Sequence, residues 1–230
     1  MNNRWLIDES VGAGEMERLV GQEMALRRQP VRGRRKSALA VRINDVVVHE
    51  THKWFGSSDI RLDALVVHGA AEGDGVKDVV HATTLRFSGI RDNDRLPIDR
   101  PGQGIFYGYP KDFLDLSIMI SRDRADSEAL AAVIDTELNS ANAKAGAAAV
   151  LAATAIAPQA ALVVSAVSGA AALANIAYKI LVKATGNTIG LYRVTFFQGK
   201  DAFGIGRHPD TDSFRHQDFS FWYEVLLDKA

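Results

Sequence analysis

The feature that most constrains this chain is a run of 34 consecutive residues, 145–178, without a charged side chain. Sixteen of these residues are alanine, the strongest helix former. Pro158 lies inside the run, and proline disfavours helix in the residue before it. The run therefore predicts a hairpin of two antiparallel helices, about 127–156 and 159–184, with Ser127 as the N-cap of the first.

Small residues are spaced so that a second helix can approach the hairpin closely. Ala166, Ala170 and Ala174 lie four residues apart and share one helical face, with Gly169 beside them. Small residues in such a pattern let two helix backbones come close together. We interpret these four residues as a contact surface for the partner helix, a second protein or lipid.

Two uses of the hairpin remain open from the sequence. It forms a soluble helix pair that packs on a sheet, or it enters a bilayer. The uncharged segment 159–178 would be about 30 Å long as a helix, enough to cross the hydrocarbon layer. The uncharged arm 145–157 is too short to span alone. The pattern permits conditional insertion and argues against a permanent transmembrane pair.

Strand patterns lie on both sides of the hairpin. Residues 114–118 alternate between apolar and polar, as expected for a half-buried strand. Segments rich in glycine, proline and aspartate separate the strands and favour turns, among them 91–94 and 101–104. The predicted strands are 39–48, 60–67, 79–87, 113–120, 189–197 and 219–227. The expected fold is mainly β with an α insertion: an antiparallel sandwich interrupted by an alanine-rich helical hairpin.

The predicted chain has four parts. They are an N-terminal helix with a basic linker (1–37), a sandwich (38–125), the hairpin insertion (126–187) and the returning strands of the sandwich (188–230).

The linker carries a concentrated positive charge. Six basic residues and no acidic one lie between Arg27 and Lys36, although the whole chain has a formal net charge of -1. One interpretation is a solvated linker; the other is an arm that binds phosphate headgroups or an acidic partner. The residues expected to make that contact are Arg32, Arg34, Arg35 and Lys36. The balanced total charge gives no reason to expect nucleic acid as a partner.

Cysteine is absent, which excludes disulfides, thiolate metal sites and a cysteine nucleophile. Residues 1–8 contain no apolar run of signal-peptide length. We therefore expect a cytoplasmic protein, peripheral to a membrane or delivered by a route that needs no signal peptide.

Two short motifs resemble those of C2 domains, β-sandwich modules that often dock on membranes through calcium. Residues 56–62 (GSSDIRL) are similar to the G-x-S-D-P-Y-V segment that closes the first calcium loop of that family. Residues 116–124 (LSIMISRDR) are similar to the strand that leads into the third loop, usually V-x-D-x-D-R.

The resemblance implies a calcium site and a lipid contact. It assigns calcium ligands to Asp59, Asp123, Asp126 and Glu128. Lys53 and Ser121 stand where the family has further acidic ligands. Trp54 and Phe55, next to the first loop, would wedge into lipid if they are exposed; such a pair is otherwise core.

The motifs of a nucleophile elbow, a zincin and a P-loop are all absent from the sequence. We therefore expect no enzyme. A hydrolase that uses Asp210 and His216 in the polar segment 204–218 is the remaining catalytic alternative. A zinc site is a further alternative, built from His49, His52, His208, His216 and Asp210.

Together these features predict a non-catalytic membrane-associating module, in which a C2-like sandwich docks on lipid and the hairpin inserts, as in an effector or toxin. The alternative is a soluble protein–protein interaction module whose hairpin is structural core or a dimer interface. No cofactor is expected beyond the calcium that the resemblance implies. Membrane lipid or another protein is the expected partner, and oligomerisation is left open.

Overall fold

Two antiparallel sheets form the body of the protein, because apolar side chains recur at every second position along its strands. The computed structural model describes residues 38–69, 76–124, 127–137, 145–148, 150, 160–185, 188–210, 214–216 and 218–228. The strands are β1 (Leu39–Val48), β2 (Ser58–Gly69), β3 (Val80–Ile90), β4 (Asp94–Arg95), β5 (Gln103–Gly108), β6 (Lys111–Arg122), β7 (Thr188–Phe197), β8 (Gly206–His208), β9 (Phe214–His216) and β10 (Phe219–Leu227).

The strand order places the first and the last strand next to each other. The first sheet has the order β4–β1–β10–β8, with β5 also paired to β1 and β9 to β10. The second sheet has the order β3–β2–β6–β7. Since β6 and β7 are hydrogen-bonded neighbours, everything between Arg122 and Thr188 is an insertion between two adjacent strands.

The two sheets face each other across one apolar core. Alternate residues of β1 and β10 point towards alternate residues of β2 and β6. The side chains at the centre are almost completely buried: Val41, Ile43, Val46, Leu62, Val66, Leu116, Ile118, Phe221 and Val225. The predicted antiparallel β-sandwich with a helical insertion is therefore confirmed, and β1, β2, β3, β6, β7 and β10 match the six predicted strands. The sequence did not predict β5, which starts inside a predicted turn.

Helices cover the outer face of the second sheet. They are α1 (Val76–Val79), α2 (Leu130–Glu137), α3 (Ala160–Thr185) and α4 (Gln198–Asp201); residues 145–148 are also helical. Apolar side chains of α2 and α3 pack on Leu65, Phe113 and Met119 of the sheet. Strands β2 and β6 of the second sheet are thus buried on both faces, whereas the alternation in residues 114–118 had predicted a half-buried strand.

The helical insertion folds as a closely packed pair. A Cβ atom on Gly146 would lie 3.1 Å from the backbone oxygen of Gly169, so the backbones approach closely. Helix α3 agrees with the predicted 159–184, while much of the predicted first helix falls outside the described residues. Within the part of the chain that the structure describes, none of the helices combines the length and hydropathy needed to cross a bilayer.

Helix α2 begins at Leu130, three residues later than predicted, because Ser127 is used elsewhere. Its hydroxyl donates to Asp123 Oδ1 at 2.6 Å and accepts from Arg61 Nη1 at 2.9 Å. The Leu130 amide, which opens the helix, donates to the Thr84 hydroxyl at 2.8 Å. A strand of the sheet, rather than Ser127, therefore satisfies the start of the helix.

A buried ion pair connects this helix to the sheet. Arg61 donates two hydrogen bonds of 2.6 Å to Asp63, two residues along on the same face of β2. Arg61 also donates to the Glu128 carbonyl at 2.9 Å, and Thr84 donates to Asp63 at 2.6 Å. Both charged side chains are completely buried. Burial of this pair is tolerated because its charges are matched and their hydrogen-bonding groups are occupied.

A second ion pair lies under α3. Arg193 on β7 donates to both oxygens of Asp115 on β6, at 3.1 and 2.6 Å. Thr195 adds a third donor at 2.6 Å, and Arg193 also reaches the Val167 carbonyl of α3 at 3.4 Å. The polar residues of β6 thus face a helix rather than water.

We predict that Arg61→Met lowers the free energy of unfolding by about 3–5 kcal/mol, because it leaves the Asp63 carboxylate buried without its partner. Urea unfolding measures the change. Arg86→Met is the matched control, since Arg86 also contacts Ser127 but is partly exposed, and its loss should cost less than about 1 kcal/mol. Equal losses for the two variants would show that burial does not set the cost.

Candidate functional site

The loop between β1 and β2, residues 49–57, presents two large aromatic side chains to solvent. We call it the aromatic loop. Trp54 is 91% exposed and Phe55 is 80% exposed, more than any other large apolar side chain in the described residues. Their rings meet edge to face with centroids 6.2 Å apart. Single exposed apolar residues are common, but an adjacent tryptophan and phenylalanine at a loop tip are less usual. They make this loop the candidate binding surface.

The start of the loop is fixed by a buried threonine. The backbone amide and the hydroxyl of Thr51 both donate to Asp92 Oδ1 at 2.7 Å. These two donors, the backbone amide first, lower the pKa of the Asp92 carboxyl below its ordinary value. The turn after β3 thereby holds the first part of the aromatic loop in place.

His52 provides a second anchor two residues before Trp54. Its backbone has a left-handed φ of 55°, which is uncommon for a residue with a side chain. The ring contacts Asp218 Oδ2 at 2.9 Å and lies 3.6 Å from Glu50 Oε1. The His49 amide donates to the Asp218 carbonyl at 2.7 Å, so the loop is tied to β10 as well.

The loop closes again directly after the aromatic pair. Lys53 Nζ donates to the Ser57 carbonyl across the loop. Gly56 has a φ of 84°, a conformation that suits glycine, and it lets the chain turn back into β2. Trp54 and Phe55 are therefore held between fixed points on both sides.

The end of the sandwich around the loop carries charges of both signs. Its exposed cations include Lys53, Arg91 and Arg124, and its acidic groups include Glu50, Asp59, Asp92 and Asp218. This mixture gives no strong field of one sign. Attraction over a distance would have to come from the basic residues Arg32, Arg34, Arg35 and Lys36, which lie outside the described residues.

The structure brings two of the predicted calcium ligands together, but in a different role. The Asp123 amide donates to the Asp59 carbonyl at 2.7 Å. The Asp123 carboxylate is already held by Arg86 Nε at 3.2 Å and by the Ser127 hydroxyl. Asp59 accepts from the Gly89 amide at 3.2 Å. A guanidinium thus stands beside the carboxylate that the resemblance assigns to calcium.

The other members of the predicted calcium site do not complete it. Glu128 is exposed and gives its backbone oxygen to Arg61, and Asp126 lies outside the described residues. Ser121 is buried, and Lys53 brings a positive charge to the loop. Over the residues with described positions, no cluster of three or more metal-binding side chains occurs. The described side chains alone do not fit a calcium ion, which needs six to eight oxygens.

The hairpin residues singled out from the sequence lie in the core. Ala166, Gly169, Ala170 and Ala174 are all buried against the sheet or the neighbouring helical turn. Their small size serves close packing within the molecule, and they form no open surface in this arrangement.

The histidines proposed for zinc form no cluster of three among the described side chains, which do not include that of His216. His49 Nε2 lies 2.5 Å from the Ser220 hydroxyl, and His52 contacts Asp218. His208 stacks on Tyr223 with ring centroids 5.1 Å apart and meets Phe196 at a tilt, with centroids 4.8 Å apart. The proposed catalytic segment 204–218 supplies the short strands β8 and β9, and the exposed Asp210 follows β8. The anchors of the aromatic loop were not predicted, because Asp92 and Asp218 are far from it in sequence.

We predict that Thr51→Val raises the pKa of Asp92 part of the way towards its ordinary value of 3.8, because the hydroxyl donor is lost and the amide donor stays. Since the folded pKa is lowered, ionised Asp92 favours the folded loop. This contribution is complete above pH 3.8 and is lost as the pH falls through the folded value. A carbon-detected NMR titration of the carboxyl gives both values.

Thr136→Val on an exposed turn of α2 is the control and should leave the Asp92 titration unchanged. A wild-type midpoint at or above 3.8, or no response to Thr51→Val, contradicts the proposed anchor.

Comparison with known proteins adds one weak likeness. No protein-family model matches the sequence, and no curated protein matches it. Among solved structures the chain is similar to a Drosophila C2-DSL-EGF1 structure, with 11% identity and a TM-score of 0.30. The match covers 84% of this chain and 67% of that one. Because a TM-score this low carries no argument, the fold assignment rests on the strand pairing of the chain itself: an antiparallel β-sandwich.

Proposed function

We propose that this protein is a non-catalytic, peripheral membrane-associating module, a C2-like sandwich that docks on lipid through its aromatic loop. The observation that supports this most directly is the exposure of Trp54 and Phe55 at the tip of an anchored loop. The same loop leads into residues 56–62, which resemble the segment that closes the first calcium loop of C2 domains.

Energetics favour lipid as the ligand of an aromatic pair of this kind. Transfer of one large apolar side chain from water contributes about 1.5–3 kcal/mol, so the pair contributes roughly 3–6 kcal/mol. Tryptophan has a polar N–H beside its apolar surface and suits the interface between headgroups and chains. An anchor of this strength gives only marginal, reversible membrane binding, so a second attraction is needed.

The basic segment supplies that second attraction in this proposal. Each lysine or arginine near an anionic leaflet contributes about 1 kcal/mol, which makes roughly 4 kcal/mol for Arg32, Arg34, Arg35 and Lys36. Attraction by the basic segment and burial of the aromatic pair then act together. Binding should therefore depend both on anionic lipid and on salt concentration.

The fixed loop reduces the cost of docking. Contacts of Thr51, His52 and Lys53 hold the loop before the aromatic pair is buried. Less conformational entropy is then lost on binding than for a free loop. Calcium has no part in this proposal, because Arg86 already pairs with Asp123.

The hairpin stays packed on the second sheet in this proposal. Insertion would require Ala166, Ala170 and Ala174 to leave the layer in which they are buried. It would also uncover the ion pair of Asp115 and Arg193. Bilayer insertion, and with it a toxin-like action, stays a prediction from the sequence alone.

A soluble protein–protein interaction module is the second candidate. The packed helical layer favours it, since the hairpin then has a structural role and no lipid is needed. An exposed aromatic pair also suits a pocket on another protein. Vesicle binding separates the two candidates.

The first test uses Trp54 as a probe. In a variant with Trp5→Phe and Trp222→Phe, the only tryptophan is Trp54. We expect its fluorescence to shift to shorter wavelength with vesicles of phosphatidylcholine and phosphatidylserine, and less with phosphatidylcholine alone. Vesicles that leave the spectrum unchanged would contradict docking through this loop.

The second test measures affinity by vesicle sedimentation. Trp54→Ser with Phe55→Ser should weaken binding by about a hundredfold or more, since each lost aromatic contributes more than about 1.4 kcal/mol, a factor of ten. Tyr109→Ser, an exposed aromatic at the opposite end of the sandwich, is the matched control and should bind like wild type. Unfolding free energies should change by less than about 0.5 kcal/mol in both, because the positions are exposed.

Failure of the full chain to bind vesicles of either composition would overturn the proposal and leave the protein-interaction module. Equal binding by the double variant and the wild type would place the lipid contact elsewhere.

A further inference from the structure

Two histidines on neighbouring strands face each other at the edge of the sandwich. His68 lies near the end of β2, and His81 lies near the start of β3. Their Nε2 atoms are 3.3 Å apart, while their ring centroids are 5.4 Å apart. Because the ring centres are farther apart than the nitrogens, the rings meet with their Nε2 ends rather than by lying one over the other.

The proton position on His68 follows from its other nitrogen. Nδ1 lies 2.8 Å from the Gly69 carbonyl oxygen, which can only accept a hydrogen bond. Nδ1 therefore carries the proton, and Nε2 of the neutral ring presents a lone pair. This carbonyl contact is the usual arrangement behind a metal-binding histidine, where it fixes the ring and makes the ligand nitrogen more basic.

His81 presents the matching nitrogen. Its Nε2 lies 3.1 Å from the Asp78 carbonyl and 3.3 Å from His68 Nε2, and its one N–H is shared between these two acceptors when no metal is bound. Burial lowers the pKa of His81, whereas its hydrogen bond to Asp78 and the charge of that residue act in the opposite direction. Metal binding requires this proton to leave Nε2, either to Nδ1 of the same ring or to water.

The separation of the two nitrogens suits a shared tetrahedral metal ion. With metal–nitrogen bonds of 2.0–2.1 Å at a tetrahedral angle, two ligand nitrogens lie about 3.3 Å apart. The observed separation is 3.3 Å. Phe106 forms an apolar wall beside both rings, at centroid distances of 5.4 and 5.0 Å.

We propose that His68 and His81 form a binding site for a divalent transition-metal ion that prefers imidazole nitrogen, such as Zn²⁺. The two nitrogens are the only side-chain ligands that the described residues offer at this place. Water completes the coordination in this proposal. This site lies in a different part of the chain from the aromatic loop and does not depend on lipid binding.

The ion would join β2 to β3 next to the apolar wall of Phe106. The two strands are already paired up to Val67 and Val80, and the metal would extend that connection past the end of the ladder. A bound ion therefore stabilises the edge of the second sheet, and its removal loosens the edge without unfolding the sandwich.

The test is isothermal titration of the full chain, prepared without a histidine tag, with zinc chloride. We expect one ion per chain and a higher melting temperature with zinc. His81→Gln should weaken binding at least tenfold. His52→Gln is the matched control and should bind zinc like wild type. His52 lies in the aromatic loop, where it contacts Asp218 and Glu50.

His68 is buried, so the zinc affinity of His68→Gln is interpreted only if its circular dichroism spectrum shows that the variant is folded. The NMR resonances of both Nε2 nitrogens in the wild type give an independent reading and should move together on addition of zinc. Excess Ca²⁺ should not compete, since it prefers oxygen ligands. Absence of zinc binding, or unchanged binding in His81→Gln, would falsify the proposal.

Discussion

The architecture depends on two buried ion pairs on the outer face of the second sheet. Without the helices on that face, the pairs Arg61–Asp63 and Asp115–Arg193 would be partly exposed to solvent, beside large apolar side chains. The helices cover the apolar residues. The carbonyl of Glu128, just before α2, accepts from Arg61, and that of Val167 in α3 accepts from Arg193. Buried pairs of this kind add little net stability compared with apolar residues, but breaking one is costly. They therefore determine where the helices must sit more than how stable the protein is.

The strands of the core could be predicted because their alternation depends on local sequence. Leu39–Val48 and Phe219–Leu227 were found where the pattern placed them. The partial burial predicted for residues 114–118 was wrong, because the alternation pattern carries no information about partners from distant strands. Polar side chains at alternate positions normally face water, but Asp115 faces Arg193 from a strand more than seventy residues later. The start of α2 was misplaced for the same reason, since Thr84 comes from a different element.

Only the aromatic pair of the candidate site was predicted from the sequence. Trp54 and Phe55 were identified from the sequence, but their exposure depends on the folded loop. The anchors that hold it come from Asp92 and Asp218, which no local pattern connects to Thr51 or His52. The calcium ligands were carried over by resemblance, and Arg86, which approaches Asp123 from another strand, was absent from that comparison.

The position of the helices between β6 and β7 affects how freely they can change during evolution. These two strands are hydrogen-bonded neighbours, yet residues 123–187 separate them along the chain. The entropy lost on closing such a long connection grows only slowly with its length. Evolution can therefore lengthen, shorten or replace the helices at little cost to strand pairing, provided that the replacement still shelters the charges on the sheet.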